Sequence, residues 1–289
     1  RTAAVWSQDA LDGPVVLPET EGSIHCAGFS PDGQRVVTVS SDGTVRVHGV
    51  EGASEPVVIT RITPSEWVKS AEFSPDGQRV LTLAFNGVVQ LWKAGGGGPP
   101  VVLHETERGV AGIRAAKFSP DGQRVVTVSE QGTVRVWRVE GRGRPVELAR
   151  EAGAVRSASF SPDGQRVITV SEQGAVGIFF EQGTVRIWRA DGTGGPVELA
   201  REAGTVQSAS FSPDGQRILT LSEQGVRIWR ADGTGAPVEF ARDEGEVTFA
   251  EFNPDGQWVV TVSKRGTVRM WRADGTGEPV VIAHDMRVR

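Results

Sequence analysis

With 289 residues, 31 Lys and Arg against 36 Asp and Glu, and a formal charge of −5, the chain lacks the basic surplus that a broad nucleic-acid footprint needs. Its single cysteine, Cys26, cannot close an internal disulfide, and its four histidines have no ligand-like spacing, so disulfide scaffolds and Cys/His zinc sites are excluded. Hydrophobic residues make up 38% of the chain, enough for a large packed interior, and no apolar run approaches the roughly 18 residues of a membrane-spanning helix.

The first six residues contain neither an initiator Met nor a leader's apolar stretch, and read as the interior of a longer chain. Residues 2–6 and 14–17 read as two short strands. From there F-[SN]-P-D-G-Q recurs six times, with its Phe at Phe29, Phe73, Phe118, Phe160, Phe211 and Phe252, at intervals of 44, 45, 42, 51 and 41 residues. A period in the low forties marks a propeller or a solenoid. Each unit reads as four strands a, b, c and d; in the third they fall at 112–118, 123–129, 133–137 and 145–148. The b and c segments are rich in Val, Ile, Thr and Trp, which suit a pleated surface, and no amphipathic stretch is long enough for a helix. The expected fold class is therefore all-β, four-stranded antiparallel units repeated as the blades of a β-propeller or as the turns of a solenoid.

Pro-Asp-Gly supplies the a–b turn, because Pro presets φ, Asp bonds the backbone two residues on, and Gly accepts positive φ. The 51-residue interval comes from an insertion at 175–183 that looks like strand c written twice. It reads as an extruded hairpin, or as an apolar docking knob built from Ile178, Phe179 and Phe180. The fifth unit is one residue short at Gly225, which predicts a tighter b–c turn. Residues 284–289 match the lead into a further strand a.

The phrase F-S-P-D-G-Q-R-V-V-T-V-S, a turn, and then T-V-R-V-W resembles the bacterial WD-repeat β-propeller family over essentially the whole chain. Ser-Pro-Asp-Gly also occurs in propellers of the Tol-system and prolyl-oligopeptidase kinds, but the Trp closing strand c and the regular interval favour the WD-repeat reading. Trp-Arg replaces Trp-Asp, as in Trp137-Arg138 and Trp229-Arg230, and His48 replaces the Trp of the first unit. The resemblance implies a buried His, Ser/Thr, Asp and Trp network, which this sequence erodes: the His position falls at Glu151, Glu202 and Asp243, and only Asp42 keeps the turn Asp. Stability is thus expected to come mostly from apolar stacking. Residues 1–289 read as a single propeller with six complete blades and a partial seventh, either a seven-blade ring lacking strands a and b of one blade or a segment of a longer array. An incomplete blade leaves sheet edges open and offers a route to self-association.

No G-x-S-x-G, H-E-x-x-H, phosphate-binding G-x-x-x-x-G-K-[ST] or Asp-rich calcium loop occurs, so the expectation is no enzyme, no catalytic residue, no cofactor and no metal. Function in a propeller is sought where one repeat differs from its siblings. Four residues before the motif Phe the units carry His25, Lys69, Arg114, Arg156, Gln207 and Thr248, a position expected near the mouth of an axial channel. Two residues earlier Trp67 stands among Ser23, Gly112, Ala154, Thr205 and Glu246. At the b–c turn Phe85 and the pair Lys264-Arg265 are unusual, and Trp258 stands where five units have Arg. The candidate partner-binding residues are therefore Trp67, Lys69, Phe85, Arg114, Arg156, Trp258, Lys264 and Arg265, since Trp and Arg dominate binding hot spots. The competing reading packs Trp67 on Phe85 within one blade and lays Trp258 over a frayed edge.

The expected function is a non-catalytic scaffold or sensor that binds a protein or peptide on the face of the d–a and b–c loops, with no nucleic-acid or membrane partner. The resemblance implies a cytoplasmic region of a larger bacterial signalling protein, joined to a kinase or a nucleotide-switch module. The alternative is a small-ligand or glycan-binding propeller with one pocket repeated in every blade.

Overall fold

The computed structural model describes residues 4–5, 15–16, 22–51, 55–61, 67–104, 112–150, 154–176, 179–240 and 247–283. The described elements are all strands. A two-stranded pair, β1 (Ala4–Val5) and β2 (Val15–Val16), precedes six four-stranded antiparallel sheets, each formed by strands consecutive in sequence. The first is β3 (Ile24–Phe29), β4 (Arg35–Ser40), β5 (Thr44–Gly49) and β6 (Val57–Arg61), and the second β7 (Val68–Phe73), β8 (Arg79–Ala84), β9 (Val89–Lys93) and β10 (Val101–His104). The third is β11 (Ile113–Phe118), β12 (Arg124–Ser129), β13 (Thr133–Arg138) and β14 (Val146–Arg150), and the fourth β15 (Ala154–Phe160), β16 (Arg166–Val176), β17 (Phe179–Arg189) and β18 (Val197–Ala203). The fifth is β19 (Val206–Phe211), β20 (Arg217–Ser222), β21 (Gly225–Arg230) and β22 (Val238–Phe240), and the sixth β23 (Val247–Phe252), β24 (Trp258–Ser263), β25 (Val268–Arg272) and β26 (Val280–Ala283). These sheets are the a-b-c-d units read from the sequence.

The chain divides into two compact units, Arg1–Glu130 with Trp137–Pro145, and Gln131–Val136 with Val146–Arg289. In the first, Val37, Val39, Val45 and Val47 of the first sheet pack on Val68, Ala71 and Phe73 of the second, and Leu81, Leu83 and Leu91 pack on Ile113 and Val125. In the second, Ile168, Val170 and Ile187 pack on Val206 and Ile218, and Leu219 and Leu221 on Val247 and Val259. Strands buried on both faces read as near-continuous apolar runs. In β4, β8, β12 and β20 every residue after the first is buried, whereas β24 alternates buried with half-buried residues.

The a–b turn is a local construction. In the first sheet the Ser30 hydroxyl donates to Asp32 Oδ1 at 2.5 Å, the Gln34 amide donates to the same oxygen at 3.0 Å, and Gly33 turns at φ 69°. The Ser30 bond, followed by the Gln34 amide, holds the Asp32 carboxyl below its ordinary range. The same Ser–Asp pair recurs at Ser74, Ser119, Ser161 and Ser212, and Asn253 replaces Ser in the sixth turn by accepting from the Trp258 amide at 3.0 Å.

The polar network survives further than the sequence suggests. Five tryptophan indoles, those of Trp92, Trp137, Trp188, Trp229 and Trp271, donate to Thr82, Thr127, Thr169, Thr220 and Thr261 at 2.8–3.0 Å. In the first sheet His48 Nε2 makes the equivalent bond to Thr38 Oγ1 at 2.9 Å. The hydroxyl of a central-strand Thr is buried, so a donor from the adjacent strand c removes a desolvation cost that apolar stacking alone would leave. Asp42 gathers bonds from Ser40, from the Thr44 hydroxyl and amide, and from Arg46. Partial burial opposes its ionisation, but these bonds outweigh burial and bring its pKa down to about 2.

At the insertion the ladder between β16 and β17 runs on through Glu172↔Gly183 and Gln173↔Gln182 to Val176↔Phe179, one long hairpin. Ile178 and the side chains of Phe179 and Phe180 lie outside the described residues, as do Trp6, residues 284–289, Glu151 and Asp243. The shortened fifth unit closes with Ser222 paired directly to Gly225, a two-residue turn.

Candidate functional site

A feature absent from any strand pattern places the candidate residues. In all six a strands the ladder slips by one residue, between Ile24 and Cys26, Val68 and Ser70, Ile113 and Ala115, Val155 and Ser157, Val206 and Ser208, and Val247 and Phe249. The residue skipped is in each case the one four positions before the motif Phe: His25, Lys69, Arg114, Arg156, Gln207 or Thr248. A bulge leaves its extra residue out of the ladder and re-aims the side chain.

The freed side chains reach different partners. His25 Nε2 bonds the Val68 carbonyl of the next sheet at 2.9 Å, and Lys69 Nζ donates to the Arg114 carbonyl at 3.0 Å, so these two bulges tie adjacent a strands. Arg156 turns within its own sheet and brings Nε to 2.7 Å from Oε1 of Glu172, whose side chain is 1% exposed. That contact neutralises Arg156 without the alignment of a hydrogen bond, and Ser171 and Thr184 beside Glu172 have buried hydroxyls with no partner. Thr248 Oγ1 donates back to the Val262 carbonyl at 3.2 Å.

Trp67 immediately precedes β7 and Phe85 immediately follows β8. The Phe85 amide donates to the Trp67 carbonyl at 2.7 Å, so the two residues face each other across the bulged end of the second sheet. The same bond joins Ser41 to Ser23, Glu130 to Gly112 and Glu223 to Thr205, and only in the second sheet are both positions aromatic. Trp67 is 48% and Phe85 65% exposed. Trp67, Phe85, Lys69 and the backbone of Arg114 are thus brought together in the first unit.

The other candidates belong to the second unit. Lys264 and Arg265 are exposed in the turn between β24 and β25, which Gly266 closes by donating to the Ser263 carbonyl at 2.8 Å. Trp258 starts β24 and so lies at the opposite end of that strand, with the Arg272 guanidinium over its ring at 5.7 Å. Trp258 and Lys264 therefore do not share a surface patch. Sequence reading found the unusual residues but missed the bulges and the Glu172 pairing; an unpaired ladder residue has no signature in a two-residue alternation.

Among the described residues no group of three His, Cys, Asp or Glu could hold a metal ion. Shallow open grooves of one build recur where the a–b turn meets strand c: Gln123, Arg124, Arg138 and Glu140 line one, Gln165, Arg166, Arg189 and Asp191 a second, and Gln216, Arg217, Arg230 and Asp232 a third.

The WD domain, G-beta repeat family, WD40, matches six segments, at 15–48, 57–93, 102–138, 147–189, 199–230 and 239–272, which together cover more than half of the chain. The chain belongs to the WD40 repeat family. Each match ends at or just past the c-strand Trp, or its His48 substitute, and so spans strand d of one sheet and strands a, b and c of the next. WD40 repeats generally mediate protein–protein interaction, and WD40 propellers are generally non-catalytic scaffolds. No curated protein matches the chain.

Proposed function

We propose that this WD40 protein is a non-catalytic interaction scaffold, and that it docks a protein or peptide through the bulged end of the second sheet. The observation that carries this reading is the Trp67–Phe85 pair: two large aromatic side chains, both exposed, at a position where sibling repeats place Ser, Gly, Thr or Glu. Exposed aromatics beside a cation supply the apolar anchor and charge steering of an interaction hot spot. Lys69 and Arg114 favour an acidic segment next to that anchor. A place within a larger bacterial signalling protein of the cytoplasm belongs to the same proposal and rests on resemblance to WD-repeat arrays.

The test compares three baits in affinity capture from the native host's lysate: wild type, Trp67→Ala with Lys69→Glu, and Thr205→Ala with Gln207→Glu. A partner recovered by the first and third and lost by the second supports the reading; equal recovery by all three refutes it. The repeated Gln-Arg-Arg-Asp grooves favour a second reading, a small polar ligand or glycan bound once per repeat. A glycan screen giving several equivalent sites would establish that reading instead.

A further inference from the structure

One contact recurs between consecutive sheets. The Arg35 guanidinium lies over the Phe73 ring at 5.3 Å while its Nη2 donates to the Gly77 carbonyl at 2.7 Å. Arg166 repeats this on Phe211 and Gly215 at 5.3 and 2.6 Å, and Arg217 on Phe252 and Gly256 at 5.5 and 2.6 Å. Each Arg is the first residue of a strand b, and its targets are the motif Phe and turn Gly of the following repeat.

Phe29 and Gly33 are those two positions in the first repeat. Phe29 is 59% exposed where Phe73 is 8% exposed. A methyl group built on Gly33 meets nothing within 4 Å, whereas on Gly77, Gly215 and Gly256 it comes to 2.8, 3.2 and 3.3 Å from the guanidinium. A ring face and a carbonyl oxygen are both electron-rich, and the neighbouring Asp32 is held ionised, so the complement of this socket is a cation. A second open element precedes the socket. β1 and β2 pair as Ala4↔Val16 and Val5↔Val15, the register of the c–d pair Arg135↔Glu147 and Val136↔Val146. Among the described residues β1 pairs with β2 alone, while strand c of every complete sheet is paired on both edges.

We propose that Phe29, Gly33 and the free edge of β1 form a receptor for an a–b hairpin of this same repeat type, supplied by another polypeptide segment and carrying Arg after Pro-Asp-Gly-Gln. Strand b of the hairpin adds to β1, and its Arg lies over Phe29 and donates to the Gly33 carbonyl. This is a different surface from the Trp67–Phe85 site, and neither depends on the other.

The probe is a synthetic peptide with the sequence of residues 112–131, measured by calorimetry against the full chain, together with its Arg124→Ala version and the Phe29→Ala protein. The wild-type pair binds; either change alone weakens binding about tenfold, and both together weaken it no further, since they remove the same contact. Losses that simply multiply overturn the proposal. Because a short peptide can fail to form a hairpin, the same segment is also fused ahead of Arg1 through a flexible linker. Its melting temperature rises and the rise disappears with the Arg→Ala change; an unchanged melting temperature in both fusions overturns the proposal.

Discussion

Removing one c-strand indole separates packing from hydrogen bonding. Trp229 is half-buried against the cluster of Ile168, Val170, Val206 and Ile218, with its Nε1 donating to Thr220 Oγ1 at 3.0 Å. Truncating a fully buried Trp to Ala costs about 3–5 kcal/mol, and partial exposure places Trp229→Ala near the lower end, about 3 kcal/mol. Thr220 is fully buried, and its remaining contact, to the Arg227 carbonyl at 3.5 Å, is too long to replace the lost bond. Trp229→Phe keeps most of the ring volume and loses the donor, so its cost is about 1 kcal/mol. The assay is urea unfolding followed by far-UV circular dichroism, with hydrogen exchange of β19 to β21 to localise the effect. A loss below about 1 kcal/mol for Trp229→Ala would show that the indole does not join the two sheets. A Phe variant as damaging as the Ala variant would place the energy in the hydrogen bond and refute a mainly packing role for the indole.

Two further outcomes follow from the first two sheets. Burial, and then the charge of Arg46, push the His48 pKa below 6.5, so the unfolded chain takes up a proton that the folded chain refuses. Stability therefore declines as pH falls below 6.5, and His48→Trp, which restores the donor used in the other five sheets, removes that component of the slope in urea midpoints measured between about pH 7.5 and about pH 5. Gly33 and Gly77 turn at φ 69° and 67°, so Ala imposes the same backbone penalty at both, and only Gly77→Ala also displaces Arg35 from Phe73. Thermal melts should show Gly77→Ala to be the more destabilising by up to about 1 kcal/mol, and equal losses would remove the energetic case for the Arg contact.

The fold was legible because its instructions are local. Ser-Pro-Asp-Gly closes a turn with bonds spanning two to five residues, and the Val-rich b segments announce strands covered on both faces. The six-fold recurrence then fixes the number of sheets, and it also exposes Trp67 and Phe85 as exceptions. The sequence could not tell that these two residues meet, since the bond between them requires the a–b ladder to be in register at its far end. It also could not distinguish Lys69 from Arg156. Both are cations at the same bulge, yet one braces the next sheet and the other is spent on Glu172, which the fourth sheet buries. The Arg35, Arg166 and Arg217 contacts lie beyond local reading for the same reason. Each joins residues 39 to 49 positions apart on consecutive sheets, a separation that no local pattern reports. Composition and period thus determined the repeating unit. Stacking in three dimensions decided which copies of identical residues became core, bracing contact or open surface, because burial and pairing depend on the neighbour, and a repeat does not encode its neighbour.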